Sequence, residues 1–401
     1  AEYLLINLMF DRGANIKVPF DRLEPLESFL GKGIYTGEKK ETATRKHVSA
    51  SLDIILEGTC RLQIKQGNLC FDQKGTITTA RLTSRKCSWD IKGFPDKKLI
   101  EDSELELDVV MRYPQRWNDE YVWDYNLNFS NGKVSFLRSH QQFFMDLSKN
   151  WSSYAKPWNI LYFYPTTYNI KFVFQLCSFV FFVNEKNIMD VKQDENCNTR
   201  LLVKAPYFGV DATVRESQYD QEISDIDIQL QLFTAYAHLL FPSGHPLQSL
   251  LPPGFEDVAC GYIGKMDVRI QNKWYYSYQP RLRDVVIMDV KFQGVKMHLY
   301  GFVARYLNAF SENYFSGYLS HITPDNFLDA KYRNNYTRNY WTHYYEQYSK
   351  IETNAWETMI SLALEECTFY LPRNLYRFET ENAQDPCIKF YSLQMDMRML
   401  A

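Results

Sequence analysis

The chain has 401 residues and a mass of 47.5 kDa, which exceeds the usual size of one domain and favours two domains or one extended repetitive structure. Its net charge of −3 lacks the basic excess that a nucleic-acid-binding protein carries. Tyrosine and phenylalanine number 29 and 27, and because both favour pleated, half-buried surfaces, the composition favours sheet.

The eight cysteines contain no CxxC pair, and several lie in apolar stretches, which predicts reduced thiols in an intracellular protein. The longest strongly apolar stretch, 176–183, is far short of the ~20 residues that a membrane-spanning helix needs. The chain opens without an initiator methionine on a strand-like pattern at 3–10. We therefore expect an internal part of a longer protein, with any membrane anchor outside it.

Alternation of apolar and polar residues runs through the chain and predicts β-strands. Residues 104–109 alternate carboxylates with aliphatic side chains, and 123–129 alternate large apolar residues with Asp and Asn. Asn131-Gly132 then predicts a hairpin turn, with Val134 and Phe136 on the return strand. Because strand patterns follow one another closely, we predict an antiparallel meander. The further predicted strands are 50–57, 59–65, 76–82, 168–175, 177–183, 207–214, 225–233, 257–270, 285–300, 356–364, 367–371 and 388–399.

Two stretches break this rhythm and predict short amphipathic helices, at 139–151 and at 300–316. The first has Phe143, Leu147 and Trp151 at intervals of four, and the second has Phe302, Tyr306 and Phe310 at the same intervals. Together they divide the chain into three predicted segments of β-groove. These are 1–138, 139–299, which begins with a helix, and 300–401, with a loop at 320–355 that contains the tyrosine-rich stretch 331–349.

Two short helices cannot cover the apolar face of a dozen strands. A sandwich or barrel would cover that face with protein, and the residues alone leave this solution open. The other solution is an elongated, curved sheet that forms an open hydrophobic groove and is covered by lipid. Each buried methylene contributes ~0.8 kcal/mol, so acyl chains need no specific polar contact to bind there.

The predicted groove residues are the apolar members of each alternating strand, since their polar neighbours must take the other face. They are Leu52, Ile54, Leu56, Leu105, Leu107, Val109, Trp123, Tyr125, Leu127, Phe129, Val134, Phe136, Ile170, Phe172, Phe174, Phe179, Phe181, Val286, Met288, Val290, Phe292, Val295, Met297, Leu299, Ile360, Leu362 and Leu364.

The sequence carries no recognisable catalytic motif. The histidines form no HExxH pair, and there is no nucleophile elbow, phosphate loop or dinucleotide fingerprint, so we predict a protein without enzymatic activity, cofactor or metal. Asp220, Glu222, Asp225 and Asp227 could hold a cation, although the solvated face of a strand explains them more simply. Rings at 274–278 could stack on sugars. A β-sandwich or β-helix enzyme, or a carbohydrate-binding protein, stays open as the alternative.

Several segments, taken in order, resemble a known family. They are His298-Leu299-Tyr300-Gly301-Phe302-Val303-Ala304-Arg305-Tyr306-Leu307 with Glu312-Asn313-Tyr314-Phe315, Tyr113-Pro114 with Trp117-Asn118, 183–188 with 195–197, and Leu371-Pro372 with Phe378 and 385–388. Their order is similar to that in the bridge-like lipid transfer proteins, in the branch of the fungal cold-sensitive-fermentation protein and animal Tweek. No single segment is a catalytic motif, so the resemblance depends on all the segments together and on the order in which they occur.

This resemblance implies a long rod of repeating β-groove units, each with about five strands and a crossing segment. It also implies a function: phospholipids would move in bulk, with little headgroup selectivity, between the endoplasmic reticulum and another membrane, the plasma membrane or mitochondria. The protein would face the cytosol at membrane contact sites. Its membrane anchor and any adaptor proteins would involve regions outside this chain, and no nucleic acid would take part.

Overall fold

The computed structural model describes residues 3–23, 47–67, 75–92, 98–116, 119–137, 140, 143–144, 163–184, 189–191, 194–216, 223–248, 257–275, 283–315, 355–371 and 386–400. Within them, fourteen strands join into one large curved sheet, which confirms the predicted mainly-β groove fold. The strands are β1 (Tyr3–Phe10), β2 (Ala14–Leu23), β3 (His47–Gly67), β4 (Thr76–Lys92), β5 (Lys98–Tyr113), β6 (Tyr121–Ser130), β7 (Lys133–Ser135), β8 (Thr166–Phe182), β9 (Arg200–Glu216), β10 (Ile223–Leu240), β11 (Asp257–Tyr275), β12 (Arg283–His298), β13 (Ala355–Tyr370) and β14 (Cys387–Leu400).

One α-helix, α1 (Gly301–Phe315), lies in the described part of the chain, where the sequence predicts it. Of the other predicted helix, 139–151, the structure describes His140, Phe143 and Phe144, and all three have helical backbone. The predicted loop at 320–355 and the stretch 331–349 lie outside the described residues, apart from position 355, which begins β13.

The predicted hairpin at Asn131-Gly132 is wrong, because the chain continues there in the same direction. Ser130 pairs with Glu104 of β5 and Val134 pairs with Ile100 of the same strand, in one unbroken register. The added Cβ of any other residue at position 132 would lie 2.6 Å from the Cβ of Ser103, so this close approach requires glycine. β7 therefore extends β6.

β2 extends β1 along β3 in the same way, with Phe10 opposite Cys60 and Ala14 opposite Leu56. Since two pairs of strands share a line in this manner, the fourteen strands form twelve lanes. Neighbouring strands lie about 4.8 Å apart, so the twelve lanes extend roughly 55 Å across the sheet.

The predicted antiparallel meander is interrupted at two joints. β8 pairs in parallel with β6 and β7, and β13 pairs in parallel with β12, while the other neighbours are antiparallel. A parallel pair needs a crossover connection that returns the chain to the end where the previous strand began. The segments before β8 and before β13 supply those crossovers. Five antiparallel strands, β8 to β12, lie between the two joints.

The strand registers align side chains into straight tracks that cross all twelve lanes. We call the face that carries Leu107 and Phe172 the inner face, and the face that carries Asp108 and Lys171 the outer face. The central inner track is Leu8, Leu62, Leu82, Leu107, Leu127, Phe172, Val210, Leu230, Val268, Val290, Leu362 and Met395.

The next inner track is also apolar throughout: Ile6, Ile64, Ala80, Val109, Tyr125, Ile170, Ala212, Ile228, Ile270, Met288, Ile360 and Met397. The outer track between these two is polar throughout: Asn7, Gln63, Arg81, Asp108, Asn126, Lys171, Asp211, Gln229, Arg269, Asp289, Ser361 and Asp396. In these three tracks, one face of the sheet is apolar and the other is polar across all twelve lanes.

A line of left-handed residues crosses the sheet at one level and interrupts its pairing. Leu176, Thr234, Gly294 and Glu366 all have φ between 53° and 67° and occupy matching register positions in four lanes. Each adds one residue to the outer face; Leu176, for example, is 65% exposed. The inner face therefore stays apolar on both sides of this line even though the alternation shifts by one residue.

This line yields a stability prediction. Gly294→Ala should lower the free energy of unfolding by about 1–2 kcal/mol, because an L side chain at positive φ is strained. Gly261→Ala is the matched control: its new Cβ meets no atom closer than 3.8 Å, and its φ is not positive. Thr234→Gly should stabilise the protein, because it removes the same strain. Chemical denaturation of the three variants tests this, and equal effects at 294 and 261 would contradict it.

Candidate functional site

The inner face runs between two rims, each formed by the ends of alternating strands. At the first rim, β8 begins at Thr166 and β9 ends at Glu216; at the second rim, β8 ends at Phe182 and β9 begins at Arg200. The tracks run parallel to these rims. A long apolar molecule that follows a track would cross one strand after another without meeting an outer-face charge.

The half of the inner face next to the second rim is closed by protein. Helix α1 lies against β8 to β11 there, and its Val303 and Tyr306 are fully buried in one cluster with residues of those strands. The ring of Phe181 meets the rings of Phe310 and Tyr314 edge-on at 5.3 and 5.5 Å. The helix therefore covers the apolar surface at this rim.

Two polar contacts fix the end of α1 to the last residue of β8. The backbone N–H of Phe182 donates to the hydroxyl oxygen of Tyr314 at 2.8 Å, and the Asn313 side chain donates to the Phe182 carbonyl at 3.3 Å. Burial raises the pKa of the Tyr314 phenol, so the hydroxyl stays neutral. These contacts hold the start of the crossover on the sheet.

Removal of this hydroxyl should destabilise the fold. Tyr314→Phe leaves the buried N–H of Phe182 without its acceptor, which should cost about 1–3 kcal/mol. Tyr236→Phe is the control, since the Tyr236 side chain is 46% exposed. Thermal melting compares the two variants, and an equal melting temperature would show that the hydroxyl contact does not stabilise the helix.

The preceding part of the sheet is closed in the same way. Phe143, from the first crossover, is fully buried in a cluster with residues of β3 to β8. Within that cluster Phe129 is also fully buried: its ring stacks on Phe174 at 5.2 Å and meets Trp89 edge-on at 5.4 Å. From β3 to β11 the sheet thus has a packed core on the second-rim side.

The structure places the sequence-predicted groove residues in two environments. Some lie within or against buried clusters or are themselves buried: Leu52, Ile54, Leu56, Leu105, Leu127, Phe129, Val134, Phe136, Phe172, Phe174, Phe179, Phe181 and Val295. The others are half-buried: Leu107, Val109, Trp123, Tyr125, Ile170, Val286, Met288, Val290, Phe292, Met297, Leu299, Ile360, Leu362 and Leu364. That any of them contacts lipid stays a prediction.

Sequence reasoning missed the inner residues of β9, β10 and β11. Val210, Leu230 and Val268 continue the central track, and Ile228 and Ile270 continue its neighbour. The same alternation that predicted these strands at 207–214, 225–233 and 257–270 could have assigned them to the inner face. With them, the tracks have no gap between the two crossovers.

Towards the first rim, in β5, β6 and β8, the inner face changes from aliphatic to aromatic. Trp123 and Tyr168 meet edge-on at 5.6 Å, and the ring of Tyr121 lies 5.7 Å from Tyr113 and 5.1 Å from Tyr164. Burial raises the pKa of the Tyr121 and Tyr168 phenols, which keeps both groups neutral. Such rings present an apolar body and a polar tip, which suits the boundary between an apolar surface and solvent.

The acidic residues considered as a cation site are ion-paired where the structure describes them. Asp227 lies 2.7 Å from Arg269, and Asp225 lies 3.6 Å from Arg215. The hydrogen bond from Arg269 holds the pKa of Asp227 below its usual range. Asp220 lies outside the described residues, as does Glu222, and the described part of the chain contains no cluster of His, Cys, Asp and Glu that could hold a metal.

Other sequence predictions meet the structure only in part. The seven described cysteines are free thiols. Tyr276 and Tyr278 lie outside the described residues, so the possible sugar platform at 274–278 is not described as a whole. No helix among the described residues is long and apolar enough to span a membrane. The described strands form a single sheet and not the two sheets of the alternative sandwich.

Comparison with known proteins gives consistent matches to one group. The chain is 22% identical over 231 residues to Protein CSF1 of Saccharomyces cerevisiae, a region that covers 57% of this chain and 8% of the yeast protein. It is 25% identical over 150 residues to human Bridge-like lipid transfer protein family member 1, covering 37% of this chain and 3% of the human protein. The mouse protein of the same name matches equally well. No family model matches the chain. The matches confirm the resemblance that the ordered segments indicated.

Proposed function

We propose, from its kinship with the bridge-like lipid transfer proteins, that this chain conducts phospholipids along the open, first-rim half of its inner face. The observation that carries the proposal is the register of the tracks. Two adjacent tracks are apolar in all twelve lanes, while the outer track between them is polar in all twelve. A roughly 55 Å apolar path without a charge matches the needs of an acyl chain that slides.

The energetics favour lipid without specific recognition. An acyl chain gains ~0.8 kcal/mol for each methylene that leaves water, and this gain is the same at every lane of an apolar track. Movement from lane to lane therefore exchanges equivalent contacts. Loading follows from burial alone, so the proposal includes no enzymatic step and no cofactor.

The wider setting belongs to the same proposal. The chain would act as a segment of a longer conduit, cytosolic-facing, that joins the endoplasmic reticulum to an acceptor membrane, the plasma membrane or mitochondria, at a contact site. Anchors and adaptor proteins would bind through other regions. Within the chain, we propose groove units at 1–138, 139–299 and 300–401, supported by the two parallel joints at β8 and β13.

Lipid analysis of the purified protein tests this function. The chain, purified without detergent, should carry phospholipid in native mass spectra, and solvent extraction should recover several headgroup classes. Protein that carries no lipid, and that gains none from phospholipid vesicles, would overturn the proposal.

A further inference from the structure

One inner track near the first rim differs from the two apolar tracks beside it. We call it the rail track; it lies two residues closer to the first rim than the track of Ile170. Its members are Leu4, Gln66, Thr78, Met111, Trp123, Tyr168, Val214, Ile226, Asn272, Val286, Thr358 and Met399. Half of these side chains carry a hydrogen-bonding group, whereas the Ile170 track carries one, the Tyr125 hydroxyl.

Two polar atoms of the rail track are buried without a hydrogen-bond partner in the protein. They are the indole Nε1 of Trp123, a donor, and the amide Oδ1 of Asn272, an acceptor. The registered neighbours of Asn272 are Ile226 and Val286, whose aliphatic side chains cannot bond to it. A buried polar atom without a partner destabilises a protein, so each such atom calls for a physical explanation, and a bound ligand is one.

We propose that the rail track binds the polar part of the phospholipid while the neighbouring apolar tracks hold its acyl chains. This inference rests on the proposed function and gives the lipid an orientation, with headgroups towards the first rim. Along β8 to β11 the second rim cannot take them, because α1 covers the apolar surface there. The phenols of Tyr113, Tyr121 and Tyr164 lie just above the rail, as the aromatic belt does at a membrane interface.

The two atoms recognise different chemistry. The Trp123 N–H donates to an ester carbonyl or phosphate oxygen, which every diacyl phospholipid has. The Asn272 oxygen accepts from a headgroup N–H or O–H, which ethanolamine has and choline lacks, since the choline nitrogen carries no hydrogen. The two residues are four lanes apart, about 19 Å, so they meet different lipids along the path. The rail thus adds a mild preference for headgroups with a donor.

The test loads purified protein from vesicles that contain equal amounts of dioleoylphosphatidylethanolamine and dioleoylphosphatidylcholine, and counts both lipids by native mass spectrometry. Asn272→Leu should lower the ethanolamine-to-choline ratio about fivefold, and Trp123→Phe should lower loading of both lipids about fivefold, the value of one hydrogen bond. Asn272→Asp retains acceptor oxygens and should retain the ethanolamine preference. Asn126→Leu, an exposed outer-face change on the strand of Trp123, is the control.

Melting of the lipid-free variants separates binding from folding. Because Asn272→Leu keeps the branched shape of the side chain and removes a buried atom without a protein partner, its melting temperature should equal or exceed that of the wild type. Trp123→Phe also shortens a half-buried ring, so a small fall in its melting temperature is expected. The proposed role of the rail track would be overturned if lipid loading and the ethanolamine-to-choline ratio stayed unchanged. A lower melting temperature with unchanged loading would overturn it as well. A wild type that loads neither lipid would instead overturn the proposed function.

Discussion

Met288→Asp should leave the protein folded and lower its lipid loading at least tenfold. Met288 is half-buried on an apolar inner track between Ile270 and Ile360. A carboxylate there can reach water while the groove is empty, so folding loses little. Lipid that covers the track would bury an unpaired charge, which is expensive, and 1.4 kcal/mol already corresponds to tenfold in affinity.

The adjacent residue supplies a matched control. Ile287 is also half-buried but lies on the outer face, opposite Gln271 and Met359. Ile287→Asp should therefore retain lipid loading. Leu107→Asp repeats the test on the central track before the first crossover. Native mass spectrometry after vesicle loading measures how much lipid each variant carries, and thermal melting measures its stability. Unfolding of Met288→Asp and Leu107→Asp, with Ile287→Asp folded, would indicate a closed core in place of an open groove.

Phe129→Ala should give the largest loss of stability, about 3–5 kcal/mol. The Phe129 side chain is fully buried in the closed half of the inner face, where its ring stacks on Phe174 and meets Trp89 edge-on. Truncation leaves a cavity that the surrounding strands cannot fill, because their pairing fixes their spacing. The melting temperature measures the loss.

Tyr125→Ala is the comparison for that variant. Tyr125 lies on the same strand and the same face but on the open half, and its side chain is half-buried. Tyr125→Ala should lower the melting temperature much less than Phe129→Ala does, and it should reduce lipid loading more. If the two variants lost equal stability, the inner face would not divide into a closed half and an open half.

The fold was largely predictable from the sequence because one signal, alternation, repeats in nearly every strand. Residues 104–109 and 123–129 show why: a carboxylate or amide at every second position leaves one choice of face. The register between distant lanes was not predictable. It follows from strand pairing, as where Met266 of β11 meets Phe292 of β12, and no single segment contains that information.

Two errors concern how consecutive strands are connected. Asn131-Gly132 signals a hairpin because both residues tolerate positive φ, and Asn131 indeed has φ of 57°. The same tolerance serves an interruption within a straight strand, and the sequence cannot distinguish the two. The parallel joints were equally hidden, since the pairing of β12 with β13 depends on the path of the crossover.

The candidate site was predictable in its apolar part and not in its polar part. Trp123 was assigned to the lining as a hydrophobic residue, with no role for its N–H. Asn272 was not assigned at all, although an amide that continues the alternation of Met266, Val268 and Ile270 is a visible irregularity. Its meaning needs the buried, unpartnered state of its oxygen, which the structure alone supplies.

The number of strands between the joints, five, has a consequence for how such a protein can lengthen. An odd count carries the chain from the first rim to the second, so a crossover must bring it back before β13 can begin where β8 began. Growth by whole units, about 24 Å each, then repeats the same rim chemistry in phase. With one more strand the unit would end at the first rim, so the next crossover would begin there and its helix would cover the side of the inner face proposed for the headgroups. Insertions and deletions that preserve transport should therefore come in complete units or in pairs of strands.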